Sequence, residues 1–208
     1  MTFGLVKHNN NSISAVTSVG LTQGKMTLIK EQTASTNSSI DFVHGTSGVV
    51  LDNTYPIYLF KFINIHPDTH DVLFQFNLSA DSGSNYNVTK TTTLYYAQHS
   101  EDGGTTSLSY YANKDVAQST GVATFSLHPG AENDESCSGE FFLFTPDSNT
   151  FVKHFMSTMN TYYHNDRSIE TFMAGYANTT SAINGVRFLM ESGNVQSGIC
   201  KLYGIKGS

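Results

Sequence analysis

Roughly ten short apolar and aromatic runs, about 8–12 residues apart, recur along this chain and are separated by Ser, Thr, Asn, Asp and Gly. The last two runs are the clearest. In Gly185–Met190, Val186, Phe188 and Met190 share one face while Arg187 points to the other. In Ile199–Ile205, Ile199, Lys201, Tyr203 and Ile205 share a face opposite Cys200 and Leu202. This period of two is the mark of a half-buried strand. Glu191–Gly198 between them is rich in residues that tolerate a chain reversal, so the pair is expected to form a closing β-hairpin.

The remaining runs read the same way. Alternation from Met26 to Glu31 is followed by Ile40–His44, Val49–Leu51 and Tyr55–Ile65. Pro56 has no amide proton to give a ladder, which places it at a strand start. The stretch from Ile57 to Phe60 is apolar on both faces, which predicts a central strand covered from both sides. His66-Pro67-Asp68-Thr69 reads as a tight turn into Val72–Leu78, and these two strands are expected to pair as a hairpin. Val88–His99, Val122–Leu127, Glu140–Phe144, Phe151–Tyr163 and Ser168–Tyr176 complete the strands, with residues 100–120 as a loop-rich excursion. The fold class expected is all-β, a single antiparallel β-sandwich of jelly-roll-like form. Residues 21–208 would make the sandwich, and the polar, aperiodic residues 1–20 an N-terminal docking arm held by a neighbouring subunit.

Composition narrows the function classes. The chain has 208 residues and a net charge of −6. That charge argues against a nucleic-acid partner, because binding a polyanion needs a basic face that releases counterions. No apolar run approaches the ~20 residues of a membrane-spanning helix, so no membrane insertion is expected. The N-terminus lacks the apolar core of a signal peptide, so folding in a cytoplasm, or removal of a leader, is expected. Cys137 and Cys200 are the only cysteines and are expected to be free thiols.

Candidate chemistry is sparse. His66, Asp68, His70 and Asp71 lie close in sequence, but their spacing matches no metal-binding motif. They are expected to cap the turn, with Asp68 bonded to its own backbone, so no metal or cofactor is assigned. His44, His99, His128, His154 and His164 read as dispersed surface residues at strand ends. There is no nucleophile motif, and catalytic residues are not assigned. Three tyrosine pairs stand out, Tyr95-Tyr96, Tyr110-Tyr111 and Tyr162-Tyr163. Neighbours in a strand face opposite ways, so each pair should split between core and surface. Tyr110 and Tyr111, in the loop-rich segment, are the candidate glycan contact.

Several segments carry a family resemblance: Tyr58–Pro67, Thr150–Phe155, Ala174–Ala182, Met190–Asn194 and Lys201–Lys206. From about Tyr55 onward the chain resembles virion structural proteins of marine tailed bacteriophages. The resemblance implies a non-enzymatic structural protein on the virion surface, with other virion proteins as partners. It is compatible with a capsid decoration or cement protein, working as a homo-oligomer with a trimer favoured. Two other classes stay open: a tail-fibre adhesin binding host-surface glycan through Glu101–Lys114, and a glycan-degrading enzyme.

Overall fold

The alternating runs form strands because their β-branched and aromatic residues can bury every second side chain on a pleated surface. A computed structural model describes residues 26–206, and the expected arm over residues 1–20 lies outside them. The strands are β1 (Met26–Asn37), β2 (Ile40–Val43), β3 (Ile57–Pro67), β4 (Phe74–Ser79), β5 (Lys90–Ser100) and β6 (Thr106–Tyr110), followed by β7 (Ala123–Ser126), β8 (Cys137–Phe144), β9 (Lys153–Tyr163), β10 (Arg167–Ala177), β11 (Gly185–Met190) and β12 (Val195–Ile205). All ladder pairings between them are antiparallel. One sheet has eight strands in the order β1-β12-β3-β8-β9-β10-β5-β6, and the other has four in the order β2-β11-β4-β7.

This order resolves into two parts. The quartets β1-β12-β3-β8 and β2-β11-β4-β7 face each other as the two sheets of a jelly roll. The strands β5 and β6 are inserted between β4 and β7, and β9 and β10 between β8 and β11. Both insertions extend the larger sheet past β8.

Two expected hairpins are corrected by this topology. β3 and β4 lie in different sheets, as do β11 and β12, so each connection crosses the sandwich instead of closing a ladder. The two crossings grip one another. Asp68 does not bond its own turn as its main role: its carboxylate accepts the Asn194 amide at 2.7 Å and the Asn194 side-chain Nδ2 at 2.8 Å. Gly193 has a φ of +71°, and a Cβ there would lie 2.2 Å from Asp68 and Thr69, so both its backbone conformation and the close approach require glycine. β6 also lies inside the stretch expected to be loop, while Val49–Leu51 is not a strand.

The core lies between the sheets. Phe188 from β11 meets Phe62 at 4.8 Å, Phe60 at 5.2 Å, Phe125 at 5.7 Å and Phe141 at 5.9 Å between ring centroids. Most of these contacts are edge-on or tilted, the geometry that aromatic quadrupoles favour. The C-terminal strand is part of this core: β12 runs between β1 and β3, with Cys200 and Leu202 fully buried. Both cysteines are free and buried, and burial pushes the Cys137 thiol up to about 12. Such thiols are poor nucleophiles at neutral pH.

Candidate functional site

The side of the large sheet turned away from the small one holds the most unusual chemistry. Along β3, Tyr58, Phe60 and Phe62 point inward, so Ile57, Leu59, Lys61 and Ile63 point outward. The antiparallel register then carries rows straight across the sheet. One row runs Leu28, Tyr203, Leu59, Phe142, Met156 and Ala174 over six strands. The row beside it contains Met26, Ile205, Ile57 and Phe144. On the other side, Glu31, Lys201, Lys61 and Glu140 line up in register.

The energetics of this face differ from those of an ordinary solvated surface. Leu59 is only 4% exposed, yet it is buried by outward neighbours and not by the sandwich core. Met26, Leu28 and Met156 are about half exposed, at 50%, 49% and 49%. Phe142 stacks on Phe144 at 6.2 Å, and Tyr95 on Phe172 at 4.9 Å. The charges present are paired within the face: Lys61 with Glu140 at 3.1 Å and Lys201 with Glu31 at 2.9 Å. The Glu31 contact also holds the Lys201 ammonium above its usual range. β3 is therefore central and apolar on both faces as expected. Its second face, however, has no covering layer among the described residues, which corrects the expectation of cover on both sides. A shallow groove of about 390 Å³ runs over Ala174 and Thr93, walled by Met156, Phe144 and Tyr176.

The two tyrosines singled out from sequence separate. Tyr110 ends β6 in register with Tyr95, is 58% exposed, and donates its hydroxyl to Asp115. That carboxylate raises the Tyr110 pKa. Tyr111 instead turns inward and packs edge-on against Tyr96 at 5.6 Å. The structure therefore does not place the pair on one surface.

A second constellation was not legible in the sequence. Asp71 follows β3, His128 follows β7, and His164 sits in the β9–β10 turn. The folded chain brings all three together. His128 donates through Nδ1 to Asp71 at 2.6 Å, and the His164 Nδ1 lies 3.2 Å from the same oxygen but out of line for a hydrogen bond. His128 and His164 are only 21% and 13% exposed at the side chain, which corrects their reading as surface residues. Asp71 and His128 both occupy the left-handed region, at φ +59° and +49°. Non-glycine residues hold that conformation only where surrounding contacts enforce it. Burial pulls His128 below its ordinary pKa, against the opposing pull of Asp71.

The neighbouring residues go elsewhere. His66 donates through Nδ1 to the Glu135 carbonyl at 2.6 Å, and the Ala131 amide donates to His70 Nδ1 at 3.2 Å. Among the described residues, no three His, Cys, Asp or Glu side chains are arranged to hold a metal ion. The Asp71–His128–His164 cluster ties three loops together. Also among the described residues, no helix is long and apolar enough to cross a membrane. The chain matches no family model, no curated protein and no solved structure.

Proposed function

We propose that this chain is a non-enzymatic structural protein of a virion surface, a capsid decoration or cement protein that works by assembling with other virion proteins and with itself. The observation that carries the reading is the outward apolar face of the large sheet. A monomer rarely exposes a contiguous apolar patch of this kind unless the patch meets a partner. The jelly-roll strand order adds support, since that topology recurs in viral capsid domains, although it also serves lectins and enzymes. The segment resemblance to phage virion proteins points the same way. Docking through residues 1–20 and assembly in the host cytoplasm belong to the same proposal.

The test is immunogold labelling of the phage particle with antibodies raised against the chain. Gold over the heads is the expected result. Gold at the tail tip would replace decoration by the adhesin reading, and unlabelled particles would overturn both. The adhesin keeps one specific observation in its favour: Tyr110 and Tyr95 expose rings on the outer face, where a sugar can stack. Binding on a glycan array, lost in Tyr110→Ala, would establish it.

A further inference from the structure

We infer that the outward face of the large sheet is covered by a second copy of this chain, packed about a two-fold axis so that Met156 of each copy enters the groove over Ala174 of the other. The inference rests on the assembly reading above, and it puts a two-fold contact where the sequence suggested a trimer. Three observations select this occupant.

The first is charge. A two-fold contact brings a patch against itself, so an unpaired charge near the axis would meet its like. Here the central charges are already neutralised in place, Lys61 by Glu140 and Lys201 by Glu31. The two apolar rows beside them carry only His154 as a titratable group other than tyrosine, and exposed Glu170 lies outside those rows. A strongly acidic or basic partner would find no complementary charge on such a surface.

The second is shape. Ala174 and Thr93 are small and leave a dip, while Met156 beside them on β9 stands up, half exposed. Ridge and groove lie side by side in the same register row, so a two-fold operation can place each ridge in the opposite groove. Methionine suits the role, because its unbranched thioether adapts to an irregular cleft.

The third is area. The six strands that carry the rows, about 4.8 Å apart, span ~24 Å, and strands of 11 residues run ~36 Å at about 3.3 Å per residue. Their outward face therefore offers on the order of 900 Å², close to the ~800 Å² per partner of a standard stable interface.

The experiment is sedimentation velocity on the full chain across a concentration series, beside Met156→Glu and Ala174→Arg. Both positions are outward, and circular dichroism with thermal melting confirms that each variant is folded. A wild-type dimer whose dissociation constant rises roughly 30-fold or more in both variants, as for central anchors, is the expected result. A wild-type monomer at about 100 micromolar, roughly a hundredfold above the micromolar limit of standard interfaces, overturns the inference. So does a trimer, or an assembly that both folded variants leave intact. Because no virion is present in this measurement, failure here leaves the labelling test of the virion reading untouched.

Discussion

The jelly-roll strands and the inserted strands obey opposite pairing rules. In the jelly roll, β1 to β4 alternate between sheets, and β11 to β12 crosses again, so neighbours in sequence are not neighbours in a ladder. In the insertions, β5 pairs with β6 and β9 with β10, each over a short turn. The first part builds a closed aromatic core between two sheets. The second widens one sheet and supplies Met156, Ala174 and Phe172 to the outward face. The difference teaches that long-range crossings decide which sheet a jelly-roll strand joins, while the local hairpins widen one sheet and add to both its faces. Leu94, Phe155, Met159, Ile169 and Met173 from the insertions join the core.

The largest expected effect tests the core. Phe188→Ala removes the ring shared by both sheets and should cost about 3–5 kcal/mol in chemical denaturation. A loss below about 1 kcal/mol would mean that the two sheets do not depend on this shared centre.

The next effect tests the loops that join the two parts. Asp71→Ala leaves the half-buried His128 without its acceptor and should cost about 0.5–1.5 kcal/mol. The same site sets an acid response. The folded His128 has a pKa below the ordinary 6.5, so the unfolded chain takes up the proton first as pH falls. Its contribution is complete above about 6.5 and is lost progressively below it. His128→Asn should flatten that part of the stability profile between pH 7 and 5; an unchanged slope would remove His128 from the response.

Lys90 gives a further test of the same sign, at alkaline pH, at the base of the β5 insertion. Its ammonium is fully buried, donating to Asn77 Oδ1 at 2.7 Å and to the Val88 carbonyl at 3.1 Å, and burial lowers its pKa to about 8. The unfolded lysine keeps its proton to about 10.5, so Lys90 contributes a rise in stability from about pH 8. It is opposed in the same range by Cys137 and Cys200, whose buried thiols ionise near 8.5 only when the chain unfolds. Tyr58 and Tyr86, raised to about 12 by burial, oppose the trend once unfolded tyrosines ionise near 10. Lys90→Met should remove its contribution, so that stability falls more between pH 7.5 and 9.5 in the variant than in the wild type, measured as denaturation midpoints; equal slopes would remove Lys90 from the response.

The smallest effect belongs to the outermost strand. Leu108 on β6 is 72% exposed, and Leu108→Ser should change stability by no more than about 0.5 kcal/mol. Amides of β6 should exchange with solvent well before those of β3 and β12. Equal protection would show that insertion and jelly roll unfold as one unit.

Much of this architecture was readable from residue order alone. Alternation in Gly185–Met190 and Ile199–Ile205 showed which side chains share a face, and the same pattern gave an all-β sandwich whose terminal strand is core. These are local properties, because side-chain direction follows from the pleat whatever the strand pairs with. Strand partners are not local. The turns after β3 and β11 look the same in sequence whether they close a hairpin or cross to the other sheet, and only the packing of Phe60 and Phe62 against Phe188 decides between them. The outward face was half legible: Ile57 to Phe60 announced two apolar faces, but only the strand order left one of them without a covering layer. The Asp71–His128–His164 cluster was not legible at all. Its members lie 36 to 93 residues apart, and a contact between distant loops exists only once the sheets that carry them have been stacked.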